Sequence, residues 1–459
     1  MRVIICGAGQ VGQGIAERLS QEDNDVTVVD NEPSLIGSIR DALDVKGYVG
    51  HGSSPQVLAQ AGAEEADMLI AVTHSDEVNM VACQVAHSLF RIPTKVARIR
   101  RQDYLVSEHR GMFTGDNMPI DVVISPEVEV GEMVLRRIAL PGSTDAVRFA
   151  EDNVTFIAIQ CEEDCPVIDT PLDQLTELFP DLAATVVGVW RDQTVFVPHA
   201  LDTLQAGDLA YVVVQRDQVR RTLTIFGHEE PRASRILIVG GGNIGVYVAR
   251  ALEQRDPSAR IRIIEASRRR AEYVTEVVER PIVLHGSALD QQILRQGDIE
   301  KADLMVALTN DDQVNILASI MAKRLGCSQT LTLLNNSGYY DFTRTLGIDA
   351  HINPRSVTIS KVLQYVRRGR ILSIHSVQNG AAEVIEAEAL ETSTIVGKPL
   401  RDVDLPGGVR IGAIYRKGEI IRPDGDTVIR ARDRVVLFSV AERVREVERM
   451  FRVSLEFFS

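Results

Sequence analysis

Two glycine-rich segments of this sequence have the residue types and spacing that bind a dinucleotide. The first follows an apolar run at residues 3–6 and consists of Gly7, Ala8, Gly9, Gln10, Val11 and Gly12. In such a segment the first glycine permits a tight turn, the second lets the backbone approach a pyrophosphate, and the third lets the helix pack closely. The pyrophosphate would lie on free N–H groups at the helix N-terminus. A second apolar run ends at Asp30, whose carboxylate can accept hydrogen bonds from ribose hydroxyls.

The same pattern returns in the second half of the chain. The apolar run at residues 235–239 leads into Gly240, Gly241, Gly242, Asn243, Ile244 and Gly245. A further apolar run at residues 261–264 ends at Glu265. In both copies the acid follows the third glycine by close to the roughly 20 residues that this pattern requires. We therefore predict two nucleotide-binding units of the Rossmann type.

A second pair of matching segments follows the third predicted strand of each unit. These segments are His51-Gly52-Ser53 and His285-Gly286-Ser287. Open α/β sheets bind ligands at the carboxyl ends of their strands, so both turns are candidates for a ligand contact. Helix capping by Ser53 and Ser287 is the alternative explanation.

The frame Thr-x-x-Asp-x-x-Asn follows the fourth predicted strand of each unit. It begins at Thr73 in the first copy and at Thr309 in the second. Capping of a helix explains the aspartate, but not the repeated threonine and asparagine. We therefore predict that Thr73 and Thr309 contact the nucleotide.

The fifth predicted strand is where the two copies differ in charge. The first copy carries Arg98 and Arg100, and strand alternation places both on one face. Guanidinium groups on that face would bind phosphate if the face meets the cleft, whereas salt bridges at the surface are the alternative. The second copy has Leu333 and Asn335 in a similar place. We expect the first cleft to bind the more highly charged nucleotide, or to bind the same one more tightly.

The elements that position these residues predict an α/β protein. Its two Rossmann-type, doubly wound parallel sheets are each followed by a small α+β lobe, because strand-rich segments with Gly/Asp turns end both halves. The predicted ranges are 1–123 and 232–350 for the sheets, and 143–226 and 370–455 for the lobes. Connectors at residues 121–138 and 349–366 have helical periodicity. Each is predicted either as a crossover or pairing helix, or as an ordinary helix covering its own sheet.

Composition excludes several classes of protein. The 459 residues carry a net charge of −14, which opposes nucleic-acid binding, so the clusters Arg268–Arg270 and Arg367-Arg368 are expected to be solvated helix faces. The five cysteines are scattered, and we expect Cys161 and Cys165 to have no disulfide or metal role. No apolar run approaches the roughly 18 residues of a membrane span, which predicts a cytoplasmic protein.

The order of these parts resembles the tandem RCK (regulator of potassium conductance) family, the regulators of Trk-type potassium uptake. The resemblance covers essentially the whole chain. It rests on both glycine segments with their acids, both His-Gly-Ser turns and both threonine frames. It also includes residues 396–400 and 424–427 of the second small lobe. Rossmann motifs alone are shared with many dehydrogenases, whereas a doubled sheet with a doubled small lobe is more specific.

The resemblance implies a peripheral regulator on the inner face of the cell membrane. It would assemble as a ring, usually a tetramer, beneath a potassium-translocating subunit of the TrkH or TrkG kind, and would bind NAD(H) and ATP or ADP. The residues implied for the first site are Gly7, Ala8, Gly9, Gln10, Val11, Asp30, Thr73, His74 and Arg98. Those implied for the second are Gly240, Gly241, Gly242, Asn243, Ile244, Glu265, His285, Gly286 and Thr309.

Two other functions are alternatives to a regulator. An NAD-dependent oxidoreductase needs a proton-transfer group at the nicotinamide, and His51 and His285 are the repeated candidates. A redox-sensing transcription factor needs a helix-turn-helix and a basic face, which this sequence does not offer. We expect no enzymatic activity, no catalytic residues and no metal.

Overall fold

The computed structural model describes residues 1–22, 24–113, 117–366 and 371–451. The chain forms two compact units. The first unit combines Met1–Glu132 with Arg235–Val366, and the second combines Met133–Ser234 with Arg367–Ser459. Each unit therefore joins corresponding parts of the two halves: the parallel sheets lie in the first unit and the small lobes in the second.

The first half begins with a parallel sheet that has six strands in the described residues, in the order β3-β2-β1-β4-β5-β6. This is the doubly wound order in which a nucleotide binds at the carboxyl ends of the central strands. The strands are β1 (Arg2–Cys6), β2 (Asp25–Asp30), β3 (Lys46–Val49), β4 (Met68–Ala71), β5 (Thr94–Arg98) and β6 (Val122–Ile124). The helices are α1 (Gln10–Gln21), α2 (Pro33–Ala42), α3 (Pro55–Gln60), α4 (Asp76–Phe90) and α5 (Pro126–Ala139).

The second half repeats this sheet, again with six strands among the described residues, in the order β14-β13-β12-β15-β16-β17. Its strands are β12 (Arg235–Val239), β13 (Arg260–Glu265), β14 (Ile282–His285), β15 (Leu304–Ala307), β16 (Gln329–Leu333) and β17 (Ala350–Ile352). Its helices are α8 (Asn243–Arg255), α9 (Arg268–Val277), α10 (Gln291–Gln296), α11 (Asp312–Arg324), α12 (Tyr340–Thr345) and α13 (Pro354–Val366). The predicted fold class is confirmed.

The connector helices are exchanged between the two sheets of the first unit. Val362, Leu363 and Val366 of α13 belong to the same hydrophobic core as Val3 and Ile15 of the first half. Helices that bury an apolar stripe against a partner sheet stabilise the pairing through the hydrophobic effect. The interpretation of α13 as a pairing element is thus confirmed, because it covers the sheet of the other half.

Helix α5 makes the reciprocal contact with the second half. The hydroxyl of Tyr247 on α8 donates to Glu132 Oε1 at 2.6 Å, and Arg255 forms a two-pronged ion pair with the same carboxylate. Burial and the hydrogen bond to Glu132 raise the pKa of Tyr247 to about 12. Lys361 of α13 also lies 3.7 Å from Glu129 of α5. The connectors therefore tie the two halves together with both apolar and charged contacts.

The second unit contains two antiparallel sheets, each with five strands among the described residues. The first lobe consists of β7 (Ser143–Phe149), β8 (Val154–Gln160), α6 (Leu172–Leu178), β9 (Ala184–Arg191), β10 (Thr194–Phe196), β11 (Leu209–Gln215) and α7 (Val219–Ile225). The second consists of β18 (Ile371–Val377), β19 (Ala382–Glu388), β20 (Val409–Arg416), β21 (Glu419–Ile421), β22 (Arg434–Val440) and α14 (Val444–Met450).

The two small lobes share one core. Tyr211 stacks between Phe156 of its own lobe and Phe438 of the other, with ring centroids 5.8 and 5.6 Å apart. Gly188 leaves the space that the Phe438 ring fills, because a Cβ there would lie 2.6 Å from Cζ. A buried ion pair between His375 and Asp145 also crosses this core, at 2.6 Å. The lobes therefore form a single packed body.

Three further expectations concern cysteines, membrane helices and the arginine cluster at residues 367 and 368. All five cysteines are buried with free thiols. Across the described ranges, no helix combines the length and the apolar character that a bilayer span requires. Arg367-Arg368 lies outside the described residues.

Candidate functional site

The first glycine turn has the backbone geometry that the sequence predicts. Gly7 adopts φ +115°, and a Cβ there would lie 3.0 Å from the backbone of Val72 and Thr73. A Cβ at Gly12 would overlap the carbonyl oxygen of Gly7, so α1 approaches the turn as closely as glycine permits. The turn is therefore built for close approach of a ligand to the backbone at the helix N-terminus. Gly240 and Gly245 repeat both features in the second half.

The two acids hold their glycine turns in the same way. Asp30 accepts from the backbone N–H of Ala8 at 2.6 Å and from that of Glu32 at 2.9 Å. Glu265 accepts from Gly241 N–H at 2.7 Å and from Ser267 N–H at 2.8 Å. Each carboxylate oxygen has a second lone pair, which leaves acceptor capacity for ribose hydroxyls at both positions.

The residues of the threonine frame form hydrogen bonds that link the ends of two strands, β4 and β5; we call this set of bonds the staple. The Thr73 hydroxyl donates to Asn79 Oδ1 at 2.7 Å, and Asn79 Nδ2 donates to the carbonyls of Thr73 and Arg98. Asp76 accepts from the backbone N–H groups of Arg100 and Arg101 at 2.9–3.0 Å. These bonds explain the repeated threonine and asparagine without a ligand, which the sequence did not suggest.

The second copy repeats the staple bond for bond. Thr309 donates to Asn315 Oδ1 at 2.7 Å, and Asn315 Nδ2 donates to the carbonyls of Thr309 and Leu333. Asp312 accepts from the N–H groups of Asn335 and Asn336. Thr73 nevertheless lines the large cavity of the first unit, whereas Thr309 does not.

The His-Gly-Ser turns do not cap helices as the alternative required. Helix α3 begins after Ser54, and α10 begins after Asp290, whose side chain accepts from Gln292 N–H at 2.8 Å. His51 Nδ1 lies 2.9 Å from Ser53 Oγ. His285 is the last residue of β14 and pairs with Glu265, so it belongs to the strand rather than to the turn that follows it.

A cavity of about 850 Å³ opens over the first glycine turn. Most residues predicted for the first site line it: Gly7, Gly9, Gln10, Val11, Asp30, Thr73, His74, Arg98 and Arg100. Ala8 in the turn and Gly12 in α1 are buried and do not line the cavity. His51 and Gly52 also line the cavity. The structure thus brings the first-site residues together around one space large enough for a nucleotide.

Arginines 98 and 100 both reach this cavity, although β5 ends at Arg98 rather than continuing to Arg100. Arg98 is 8% exposed; its Nη2 donates to the Thr73 carbonyl at 2.7 Å, while its Nε has no partner among the described residues. Burial and the neighbouring Arg100 lower the pKa of Arg98. A buried guanidinium with an unused donor fits an anionic ligand.

Arg100 is held by an acid that the sequence reasoning missed. Its Nε lies 3.1 Å from Glu127 Oε1. The alternative of a salt bridge is therefore correct for Arg100, but the salt bridge is not at the surface, because Glu127 is only 4% exposed. Burial raises the pKa of Glu127, and its Oε2 has no partner within the described ranges. The only available signal was the position of Glu127 directly after Pro126 at the start of a helix.

The second glycine turn is covered by an arginine that was predicted to be a solvated helix residue. Arg270 Nε donates to the Gly241 carbonyl at 2.7 Å, and Nη2 donates to Asn243 Oδ1 at 3.0 Å. Its guanidinium lies 4.6 Å from the ring centroid of Tyr273. Arg268 is solvated as expected, paired with Glu272. The expectation was wrong for Arg270, since the side chain folds onto the turn.

The second-site residues surround this turn rather than the large cavity. Gly240, Gly241, Gly242, Asn243 and Gly245 form the turn and the start of α8, and Gly286 N–H donates to the Glu265 carbonyl at 2.9 Å. Ile244 is the exception, because it lines the cavity above the first turn. Leu35 occupies in α2 the position that Arg270 occupies in α9. This difference between the two copies is the sequence signal that could have shown a separate role for Arg270.

Models of known families match most of the chain. The TrkA-N domain matches residues 3–126 and again residues 236–354, and the TrkA-C domain matches residues 384–452. Among curated relatives, the Trk system potassium uptake protein TrkA of Azorhizobium caulinodans is 59% identical, with both chains covered completely. The protein of the same name from Halomonas elongata is 41% identical, again with both chains covered completely.

Solved structures share the fold at low sequence identity. The RCK domain of GsuK matches with a TM-score of 0.60 and 18% identity, covering 98% of this chain and 94% of the other. The GsuK channel bound to NAD matches with a TM-score of 0.61 and 18% identity, covering 98% of this chain and 78% of the other. These similarities support the RCK fold.

Proposed function

The chain belongs to the Trk system potassium uptake protein TrkA family, and from this premise we propose that it is a regulatory subunit of a potassium uptake system. It gates a membrane-embedded, potassium-translocating subunit of the TrkH or TrkG kind in response to NAD(H) and ATP or ADP. The observation that carries the proposal is the cavity over the first glycine turn, which combines a pyrophosphate-binding backbone with Arg98 and Arg100.

The proposed cofactor fits the residues present. Gly9 carries no side chain toward the cavity, and a Cβ there would lie 4.0 Å from His74 Nε2 as its nearest neighbour. Asp30 has acceptor capacity for a ribose, and the unused Nε of Arg98 provides a donor for phosphate. The names of the GsuK structures record NAD binding by that protein, which supports NAD(H) as one ligand.

Regulation requires that the nucleotide bind one geometry of the ring better than another. A tenfold preference at one site is about 1.4 kcal/mol, and four equivalent sites in a tetrameric ring sum to about 5.5 kcal/mol. That sum moves a 1:99 equilibrium to 99:1. Symmetric assembly at the inner face of the membrane is therefore part of the proposal.

Calorimetric titration with ATP, ADP, NADH and NAD tests nucleotide binding. Gly9→Asp places a carboxylate where the pyrophosphate would lie and should abolish binding at the first cleft, while Gly37→Asp in α2, away from the glycine turn, is the matched control. Gly242→Asp tests the second cleft in the same way. Arg100→Ala should weaken ATP more than NADH. Absence of binding by the wild-type chain at millimolar nucleotide would reject the proposal.

Gating and catalysis are separated by two further measurements. Potassium flux through the co-reconstituted membrane subunit should change with nucleotide for the wild-type chain and should not change for Gly9→Asp. An NAD-dependent oxidoreductase, the rival function, would instead oxidise NADH with turnover in the presence of candidate substrates. Such turnover, lost in a His51→Ala variant, would replace the regulatory proposal with an enzymatic one.

A further inference from the structure

The cavity over the first glycine turn has walls from both halves of the chain. The first half provides the turn, Arg98 and Arg100, and the second half provides Asn335, Arg355 and Thr358. Arg355 and Thr358 are on α13, the helix that covers the sheet of the first half. A ligand in this cavity is therefore within reach of side chains from both halves.

Arg355 places a positive charge in the wall of the cavity, and within the described residues no acid forms an ion pair with it. Its backbone N–H donates to Asn353 Oδ1 at 2.9 Å, which fixes the first turn of α13. The side chain is half-buried and lines the cavity. Within the described ranges its guanidinium has neither a hydrogen bond nor an ion pair, in contrast to Arg100, which is paired with Glu127.

The Arg355 guanidinium lies against α1. A Cβ on Gly14 would lie 3.2 Å from both Nε and Nη2 of Arg355. Gly14 is one helical turn beyond Gln10, the first residue of α1, and one turn rises about 5.4 Å. The guanidinium thus lies beside the N-terminal part of α1, the helix whose first N–H groups would bind the pyrophosphate.

The cavity shows independent signs of a missing polar partner. Arg98 Nε and Glu127 Oε2 are both buried and have no hydrogen-bond partner in the described residues. Both residues are more than nine-tenths buried and line the same space as Arg355. Buried polar atoms in folded proteins are nearly always hydrogen-bonded, so these two atoms indicate a polar ligand.

We propose that Arg355 binds the phosphate chain of a nucleotide held in the first cleft, so that a nucleoside triphosphate links the second half of the chain to the first. The inference rests on the proposed function and identifies the residue that distinguishes long from short phosphate chains. The arrangement is specific to the first cleft. Glu127 takes the place of Arg355 in α5, and Leu333 and Asn335 take the places of Arg98 and Arg100 in the second half.

The test is calorimetric titration of the full-length chain with ATP, ADP and AMP. Arg355→Gln should weaken ATP binding at least tenfold and AMP binding less than threefold, because AMP lacks the distal phosphates. Arg355→Lys keeps the charge and should recover part of the ATP affinity. Arg324→Gln, an exposed arginine on α11 outside the cavity, is the matched control and should change neither affinity.

Each other outcome has a defined meaning. Equal weakening of ATP and AMP by Arg355→Gln, with a lower unfolding temperature, would show that Arg355 only supports packing of α13 and would overturn the inference. Unchanged ATP affinity in Arg355→Gln, with binding abolished in Gly9→Asp, would overturn the inference while leaving the proposed function intact. Failure of the wild-type chain to bind any of the three nucleotides would reject both.

Discussion

Ile359 of α13 lies so close over Gly14 of α1 that a Cβ on Gly14 would overlap its Cδ1 methyl group. The reciprocal crossing shows the opposite arrangement, because Tyr247 of α8 packs over Gly131 of α5. Tyr247 occupies in α8 the place of Gly14 in α1, and Gly131 occupies in α5 the place of Ile359 in α13. Each crossing therefore pairs one large residue with one glycine.

This complementarity favours pairing of unlike halves. Two first halves would place Gly14 against Gly131 and leave a void, whereas two second halves would place Tyr247 against Ile359 and overlap. Voids and overpacking are both destabilising in close-packed interfaces. The duplicated chain thus has a packing reason to pair its own two sheets rather than like with like.

Gly14→Leu should lower the stability of the protein by about 1–3 kcal/mol, because the new side chain must displace Ile359. Leucine is a better helix former than glycine by roughly 0.5–1 kcal/mol, so the measured loss of stability is the packing cost minus this gain. Urea unfolding gives the shift. Gly37→Leu in α2 is the matched control, since nothing lies within 4 Å of a Cβ there, and it should be neutral or stabilising.

Ile359→Ala should destabilise the wild type, because it removes partly buried side-chain atoms, but it should destabilise Gly14→Leu less or even stabilise it, because it makes room for the new leucine. The coupling free energy of this double-mutant cycle is expected between about 0.5 and 3 kcal/mol. Equal unfolding midpoints for Gly14→Leu and Gly37→Leu would contradict the packing argument.

The sequence predicted the two sheets because their signals are local. Glycines that need a positive φ or a close approach, as at Gly7 and Gly12, leave a fixed spacing, and buried parallel strands leave apolar runs. The exchange of α5 and α13 was not decided by the sequence. Val362 and Val366 have the same helical periodicity whichever sheet they cover, so periodicity alone does not identify the partner.

The sequence predicted only those residues of the candidate site that belong to a local motif. Asp30 and the glycine turn are adjacent in a short motif, whereas Glu127 and Arg355 reach the cavity through tertiary packing of separate helices. The threonine frame was read as a ligand contact because its partner atoms, the carbonyls at the ends of β4 and β5, are invisible in a sequence. Arg270 was read as solvated because the fold of its side chain depends on the backbone of Gly241.

Asn79→Ala should destabilise the protein by about 2 kcal/mol, since the Thr73 N–H and the Arg98 carbonyl lose the side chain that pairs with them. It should also weaken nucleotide binding at the first cleft, because Arg98 depends on this staple for its position. Asn315→Ala breaks the same staple in the second half and is the matched control. Thermal unfolding and ATP titration measure the two effects.

The two substitutions should be alike in stability and different in binding. Binding losses of equal size in Asn79→Ala and Asn315→Ala would show that the staple in the first half has no special connection with the cleft. Unchanged ATP affinity in Asn79→Ala would show that Arg98 does not act in binding.

Asp145→Asn should lower the stability of the protein by about 3–5 kcal/mol near neutral pH, as expected when one partner of a buried ion pair is removed. Burial alone would raise the pKa of Asp145, but His375, together with Arg137 and Arg136, holds it well below the usual value. An acid with a lowered pKa stabilises the fold above its unfolded pKa of about 3.9 and loses that contribution as the pH falls through the folded pKa.

The difference between wild type and Asp145→Asn should therefore be fully present above about pH 4 and should shrink on further acidification. Chemical unfolding at a series of pH values measures it. Asp152→Asn removes an exposed partner of Arg148 and should cost less than about 1 kcal/mol at every pH. A constant difference between wild type and Asp145→Asn down to pH 2 would contradict this assignment.

Arg270→Leu should strengthen nucleotide binding at the second cleft, because it removes the side chain that donates to the Gly241 carbonyl and to Asn243 Oδ1. Leucine is the residue at the matching position of the first half, Leu35. Leu35→Arg is the reciprocal change and should weaken binding at the first cleft. Both are measured by calorimetric stoichiometry in a Gly9→Asp or Gly242→Asp background, which isolates one cleft at a time. If Arg270→Leu instead weakens binding at the second cleft, Arg270 is a ligand contact there rather than a cover.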